Sequence, residues 1–245
     1  MLHFARFSYC DTSRPRAWRL LGVGALASAV LPVQAGRPLA TDDAAIVTAG
    51  ACQIEAWHEQ TRAAHGVWLN SGCTPASRTE FAVGAGQLYA RGTAAVAARQ
   101  WQVKHLLSAE EGEWPSLAIA LGGVRIRDTP ERQRFIKAIA SLPLAGEAHL
   151  VHVNLGALRA ADAAGRRWHA TWSAAWDAAF RPLTRASFES FGSSGERPHW
   201  QVGVRHAWAP GRIQIDASVG SPYGRWHAER MATFGLVFVG PVLGH

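Results

Sequence analysis

His152, Asn154 and Ser173 carry the side-chain types of a serine hydrolase. A serine becomes nucleophilic when a histidine accepts its proton and a third group orients that histidine. An antiparallel hairpin of 147–158 and 167–181 would place His152 opposite Ser173, with Asn154 nearby. No flanking motif marks Ser173 as activated, and polar residues on adjacent strands are ordinary on a polar face. We therefore expect no enzyme activity, and a hydrolase remains the least favoured alternative.

A wider set of charged and polar residues could act on a ligand without chemistry. Fixed charges around a passage select the solutes that pass through it. The alternative is a filled interior in which the same side chains satisfy one another. The candidates for lining such an interior are Glu55, His152, Asn154, Arg167, His169, Asp177, Glu189, Arg205 and Asp216.

The elements that would position these residues alternate with period two, which is typical of strands with one apolar face. In 168–180 the even positions are Trp, Ala or Phe, and the odd positions are mostly polar. Gly, Pro, Asp and Ser separate the segments. The alternation predicts strands at 52–60, 66–74, 79–89, 96–107, 115–126, 133–143, 147–158, 167–181, 183–191, 198–209, 212–221 and 229–239.

Two hairpins have a register that sorts both of their strands into faces. In the first, Trp57 is expected opposite Trp68 and Cys52 opposite Cys73. In the second, a register that puts Val151 opposite Ala174 separates an apolar face from a polar one.

A transmembrane barrel explains these faces better than a soluble sandwich or lipocalin-like barrel does. The residues of the polar face are mostly small and uncharged, whereas the apolar face is rich in tryptophan. This is the pattern of an outer-membrane barrel with a polar lumen. A mean hydropathy of −0.04 beside 48% hydrophobic residues fits the same alternation. We predict an all-β, closed antiparallel transmembrane barrel of about twelve strands, or ten if 133–143 is a short helix instead.

The N-terminus reads as a secretory signal peptide, not as a membrane anchor. Residues 1–19 hold four arginines and one aspartate, and 20–31 form an uncharged apolar run that ends in Pro-Val-Gln-Ala. The run is shorter than the ~18 residues needed to span a bilayer. Cleavage after Ala35 leaves one domain, 36–245, with an N-terminal extension at 36–51. It also lowers the formal charge from +7 to +4, and without a clustered basic stripe we expect no nucleic-acid partner.

Cys52 and Cys73 are the two cysteines that remain after this cleavage. An exported protein meets an oxidising compartment, and the first hairpin makes the two residues cross-strand neighbours. We expect a disulfide between them, with two buried free thiols as the alternative. No cysteine or histidine spacing fits a zinc site, so we expect no metal. Gly84 and Gly86 could suggest a phosphate-binding loop, but they lie within a predicted strand, where glycine more often permits bending or close approach. We therefore expect no cofactor.

Several stretches resemble proteobacterial outer-membrane barrel proteins related to the phenol-degradation MetA-pathway family of outer-membrane transporters. The resemblance implies an outer-membrane location, insertion by the assembly machinery, and passage of small solutes, including hydrophobic or aromatic ones. The chain departs from the usual barrel ending on an aromatic residue, since Phe238 is followed by a short tail. The stretches that carry the resemblance are 36–44 (GRPLATDDA), 50–57 (GACQIEAW), 150–156 (LVHVNLG), 198–205 (PHWQVGVR) and 215–220 (IDASVG).

The tryptophans have two interpretations. They could stack on aromatic solutes, but residues of this type more often anchor a barrel at the membrane interface as an aromatic girdle. We favour anchoring for Trp57, Trp68, Trp168, Trp176, Trp200 and Trp208. Passive transport or binding of small solutes is therefore the predicted function, and a structural barrel with a filled lumen is the alternative.

Overall fold

The structure is a computed structural model, and it describes residues 39–76, 78–90, 92–108, 115–127, 132–144, 148–162, 165–208 and 212–240. The predicted signal peptide, its cleavage site, residues 36–38 and the tail after Gly240 lie outside the described residues. Among the described residues, no helix is long and apolar enough to cross a membrane.

Twelve strands follow one another along the chain. They are β1 (Cys52–Thr61), β2 (Ala64–Ala76), β3 (Thr79–Ala90), β4 (Val96–Leu106), β5 (Ser116–Ile126), β6 (Arg132–Leu144), β7 (His149–Asp162), β8 (Gly165–Arg181), β9 (Thr184–Ser193), β10 (His199–Trp208), β11 (Ile213–Pro222) and β12 (Met231–Val239).

Each strand pairs antiparallel with its sequence neighbour, and β1 pairs with β12, so the sheet is a closed barrel. The predicted fold is confirmed. The segment 133–143 is a strand and not a helix, which settles the count at twelve. Phe238 lies inside β12, opposite Ile54 of β1. Closure leaves no unpaired sheet edge.

The first predicted hairpin register is confirmed and the second is wrong by two residues. Cys52 pairs with Cys73, and Trp57 with Trp68. In the second hairpin Val151 pairs with Trp176, not with Ala174. The two strands extend beyond their predicted bounds until Asp162 pairs with Gly165, so the pairing shifts. A shift of two keeps every side chain on its predicted face.

The two faces of the wall have opposite character. The outward face carries exposed apolar side chains on every strand, among them Ile54, Leu69, Val83, Trp101, Leu121, Ile136, Leu155, Trp172, Phe188, Val204, Val219 and Phe234. The inward face carries buried polar and charged side chains, among them Glu55, Asn70, Glu80, Gln100, Lys104, Lys137, Asn154, Asp177, Glu189, Gln201, Asp216 and Thr233. This is the arrangement of a barrel that meets lipid outside.

The two ends of the barrel are named here by the strand termini that lie at each. We call the end where β1 begins and β12 finishes the terminal end. The opposite end, where β1 turns into β2, is the far end. Odd-numbered strands therefore run from the terminal end to the far end.

Close packing inside the wall depends on Gly86 of β3. A Cβ atom at this position would lie 2.5 Å from Cδ2 and Cε3 of the Trp68 ring, which is 2% exposed and stacks on Trp57 with 5.7 Å between ring centroids. We expect Gly86→Ala to lower the free energy of unfolding by about 2 kcal/mol through overpacking. Urea unfolding checks this. Because Trp68→Leu removes the clash, the double variant should lose less stability than the two single losses added together; simple additivity would contradict the packing explanation.

Candidate functional site

Residues 39–51 lie inside the barrel and form what we call the lumen segment. Leu39, Ala40, Thr41, Asp42 and Ala44 are between 0% and 6% exposed. The segment has no regular secondary structure, yet it contacts the inward side chains of β3, β4, β6, β7 and β9 in turn. The described part of the predicted N-terminal extension therefore enters the lumen.

Glu189 of β9 holds the innermost part of the segment. Its Oε1 accepts a hydrogen bond from the Ala40 N–H at 2.6 Å. Its Oε2 accepts hydrogen bonds from the Thr41 N–H and the Thr41 hydroxyl, both at 2.8 Å. Glu189 is fully buried, so a carboxylate there needs donors of this kind to offset its lost hydration. The lumen segment supplies three of them.

Asn154 of β7 and Ser141 of β6 fix the middle of the segment. The Asp42 N–H donates to Asn154 Oδ1, and Asn154 Nδ2 donates to the Asp42 carbonyl, each at 2.8 Å. One step further along, the Ala44 N–H donates to Ser141 Oγ at 2.8 Å. A side-chain amide that pairs with both polar groups of one residue imitates a neighbouring strand, so it satisfies the segment's backbone inside the wall.

Two lysines pair with the acidic residues of the segment. Lys137 Nζ of β6 lies 2.5 Å from Asp42 Oδ2. Lys104 Nζ of β4 lies 3.6 Å from Asp43 Oδ1, and it also donates to the carbonyls of Asp43 and Ala45. Both lysines are almost fully buried. A buried ammonium needs such partners, so wall and segment neutralise each other.

The root of the segment is fastened to the start of the barrel. Gly50 has a φ of 78°, and its N–H donates to the Thr74 carbonyl at 2.7 Å. The Thr74 N–H donates to the Ala51 carbonyl at 3.1 Å. The next residue, Cys52, forms the predicted disulfide with Cys73. The segment is therefore anchored at residues 50–52 by backbone pairing and by a covalent bond.

A cluster of charged residues lies beside the segment, near the terminal end, under β8, β9 and β10. Asp177 Oδ1 accepts from Arg185 Nε at 2.8 Å, and Asp177 Oδ2 accepts from Arg205 Nη2 at 2.5 Å. Asp177 is 1% exposed, whereas the two guanidinium side chains are 21% and 18% exposed. The arginines adjoin a cavity of about 650 Å³. We call it the arginine vestibule; its lining is Ala179, Phe180, Arg181, Pro182, Leu183, Arg185, Arg205, Ala207 and Gln214.

The interior toward the far end is packed with apolar side chains. Trp57 and Trp68 are buried and stacked, and Trp68 Nε1 donates to Glu59 Oε1 at 2.7 Å. They belong to one cluster with Leu88, Val124, Ile126, Phe135, Met231 and, from the lumen segment, Ala40 and Ala44. Interface anchoring is therefore wrong for Trp57 and Trp68. Trp57 lies two residues after Glu55 on β1, so both side chains point to the inward face. Trp68 pairs with Trp57 and therefore shares that face.

The remaining four of the six predicted anchors lie outside the lumen or at its rim. Trp168, Trp176 and Trp208 are exposed, and Trp200 stacks on Trp226. Their positions are compatible with either sequence interpretation, so the aromatic girdle stays a prediction.

The structure gathers seven of the nine predicted lining residues inside the closed wall. Six of them, Glu55, His152, Asn154, Asp177, Glu189 and Asp216, are 5% exposed or less, and Arg205 is half-buried. Arg167 and His169 lie elsewhere. The β7–β8 hairpin projects past its neighbours, since β9 pairs with β8 only from Thr171 onward. Arg167 is exposed there, and His169 Nδ1 lies 3.4 Å from the Ser194 carbonyl.

Sequence reasoning missed the residues that hold the lumen segment from strands with weak alternation. These are Glu80, Lys104, Lys137 and Ser141. One signal was available: Lys104 and Lys137 are the only lysines of the chain, and each falls on the inward parity of its strand.

The geometry does not assemble the hydrolase considered from the sequence. Ala175, not Ser173, lies opposite His152, while Ser173 pairs with Asn154. His152 Nδ1 lies 2.8 Å from Ser141 Oγ. That oxygen already accepts the Ala44 N–H, so this serine is occupied in fixing the segment. Over the described ranges, no three His, Cys, Asp or Glu residues come together as a metal site.

The model of the family described as uncharacterised conserved protein UCP029691 matches residues 23–234. The chain belongs to this family. No curated protein matches the chain.

Solved structures with the same fold are outer-membrane barrels. The KdgM porin in complex with disordered oligogalacturonate has a TM-score of 0.61 at 10% identity, covering 76% of this chain and 98% of that chain. The COG4313 outer membrane channel from Pseudomonas putida F1 has a TM-score of 0.59 at 11% identity, covering 81% and 98%. For the NanC porin the TM-score is 0.57 at 9% identity, covering 77% and 99%. These likenesses establish a porin-like barrel fold.

Proposed function

We propose that this protein is an outer-membrane channel for small solutes and that the lumen segment closes it. The supporting observation is how the segment is held. Between residues 39 and 47 its contacts run to wall side chains, through Glu80, Lys104, Lys137, Asn154 and Glu189. The strand ladders close the barrel without it. The segment can therefore leave while the wall stays intact.

Departure of the segment would leave a polar passage on one side of the lumen. The wall groups that it covers are carboxylates, ammonium groups, an amide and a hydroxyl, all of which water can hydrate. Such groups are suited to a wet lumen, because a permanently dry interior would carry their desolvation penalty with no functional return. Passive transport accounts for a charged lumen together with a detachable filling.

The location rests on the outward face and on the sequence. Exposed apolar side chains occur on all twelve strands, as a lipid-facing band requires. The predicted signal peptide, cleaved after Ala35, would export the chain. The outer-membrane assembly machinery would insert it, with Phe238 near the end of the last strand. Exposed tryptophans such as Trp168 and Trp208 would form the interfacial girdle.

The class of solute follows from the resemblance and from the vestibule. The resemblance to the MetA-pathway family favours small hydrophobic or aromatic compounds. The proteins with the same fold are porins and channels by name, which supports transport over catalysis. Among the described lumen residues, the serine that meets a histidine is Ser141, and it holds the Ala44 N–H, so we propose no enzyme activity.

Conductance in planar lipid bilayers tests the proposal. The mature protein should be closed most of the time. Deletion of residues 36–47 should give a stable conductance step in most insertions, because it removes the filling and leaves the root at Gly50 in place. A control is deletion of the eight residues 223–230 of the β11–β12 turn, which join the strands at the far end; it should behave like the unmodified protein.

A second candidate function is a structural barrel with a permanently filled lumen. The apolar cluster of Trp57, Trp68, Leu88, Phe135 and Met231 favours it, since it packs the interior toward the far end independently of most of the segment. If the deletion variant inserts into the bilayer but shows no step at any voltage, this second candidate is correct and the channel proposal is wrong.

A further inference from the structure

The geometry points to a binding site for small organic anions, above all carboxylates with an apolar body, in the arginine vestibule. This inference rests on the proposed function, because it names the solute class that the lumen would admit. The site lies at the terminal end, beside the lumen segment. Its polar lining residues Arg185, Arg205 and Gln214 have the inward parity of Glu189, Gln201 and Asp216 on their strands.

Charge is the first reason. Three arginines line the cavity, and none of the described residues that line it is acidic. Asp177 lies behind Arg185 and Arg205 and accepts a hydrogen bond from each. One carboxylate for two guanidinium groups leaves one net positive charge, and Arg181 adds a second. A small monocarboxylate that enters the cavity would offset one of these two charges.

Orientation is the second reason. Arg185 and Arg205 lie directly opposite each other on β9 and β10. Two like charges at such a position repel, so an unassisted pair would point apart. The buried Asp177 carboxylate holds both guanidinium groups on the same side of the wall, at 2.8 Å and 2.5 Å. Guanidinium groups fixed in this way bind carboxylates well, because their forked donors match the two oxygens.

The apolar walls are the third reason. Phe180, Pro182 and Leu183 line the cavity together with the arginines. Leu183 has a φ of 67°, at a position where glycine is the ordinary residue. The β8–β9 turn accepts this strain and keeps a large apolar side chain at the mouth. A cavity of about 650 Å³ is ample for a solute with a ring or a short aliphatic chain.

Benzoate is the probe that tests the site, by equilibrium titration of the full mature protein in neutral detergent. Benzoate should bind and neutral benzamide should not, and the affinity should fall as salt is raised. Arg205→Gln and Arg181→Gln should each weaken benzoate binding by about tenfold, the loss expected for one charge-assisted hydrogen bond. Arg62→Gln, in the β1–β2 turn at the far end, is the matched control and should bind as the unmodified protein does.

Circular dichroism of each variant checks that the barrel is intact, so that a lost affinity is not lost folding. Equal binding of benzamide and benzoate would overturn the inference, and so would unchanged affinity in both vestibule variants. Displacement of benzoate by phosphatidylglycerol added to the detergent micelles would show that the site takes a lipid headgroup, which also overturns it. Absence of benzoate binding in a protein that conducts after deletion of 36–47 would reject the vestibule and leave the channel proposal standing.

Discussion

Glu189→Ala is expected to release the inner part of the lumen segment without unfolding the barrel. The substitution removes the acceptors of the Ala40 N–H, the Thr41 N–H and the Thr41 hydroxyl. Hydrogen bonds to a charged group contribute about 1.5–3 kcal/mol each, and the three are not additive. A loss of at least about 3 kcal/mol should therefore raise the population of the detached segment by more than about a hundredfold. The strand ladders do not use this carboxylate, so the wall should stay closed.

Thiol labelling measures this release. Ala40→Cys adds the only free thiol of the mature chain to a position that is 6% exposed, and its backbone N–H can still donate to Glu189. Labelling should be slow in this background and more than about a hundredfold faster with Glu189→Ala. Thr41→Val removes one donor of the three and should accelerate labelling only about tenfold.

The control is Glu229→Ala, since the Glu229 side chain is 39% exposed and lies 4.0 Å from the Arg225 guanidinium in an ion pair. Its labelling rate should not change. Equal rates in the Glu189→Ala and Glu229→Ala backgrounds would show that this carboxylate does not hold the segment.

Asp177→Asn is expected to destabilise the barrel itself. The carboxylate is 1% exposed and accepts from Arg185 and Arg205, which face each other across two strands. The asparagine keeps the shape but leaves two adjacent cations without their shared anion. Breaking a buried ion pair costs about 3–5 kcal/mol; since both arginines are about one-fifth exposed, we expect about 3 kcal/mol from urea unfolding.

Salt and a second substitution separate this electrostatic loss from a packing loss. Like-charge repulsion is screened by ions, so the loss should be larger at low salt than at high salt. Adding Arg185→Gln to Asp177→Asn should recover part of the lost stability, because one cation then remains in place of two. If the loss of unfolding free energy does not depend on salt, and Arg185→Gln makes it larger, Asp177 acts through its hydrogen bonds alone.

The wall could be predicted from the sequence because its physics is local. Period-two alternation places every strand near its observed bounds, and opposed pairs such as Trp57 and Trp68 fix the first register. The second register slips because turn length decides it, and the alternation gives no sign that β7 extends to Asp162. Parity survives that slip, so the faces of His152 and Asn154 are still predicted correctly.

The filling of the lumen could not be predicted in the same way. The contacts of Thr41 with Glu189 and of Asp42 with Asn154 join residues 148 and 112 positions apart. These contacts join irregular backbone of the lumen segment to single wall side chains, so no periodic pattern in the sequence predicts them. Residue type also misleads at Trp57, where an aromatic side chain suggests a membrane interface. Glu55 lies on the same face of β1, and its charge already indicates that this face points into the lumen. Face assignment by register is the stronger guide.

In the proposed channel, the backbone pairing and disulfide at Gly50, Ala51 and Cys52 make the lumen segment a tethered blocker of its own barrel. The eleven residues 39–49 reach at most about 40 Å when extended, so they would stay near the mouth of the lumen after release. A short flexible tether keeps its end at a local concentration on the order of millimolar. We therefore expect reclosure to be a first-order event that does not depend on how much protein the membrane holds. The Cys52–Cys73 disulfide secures the strand from which the tether begins.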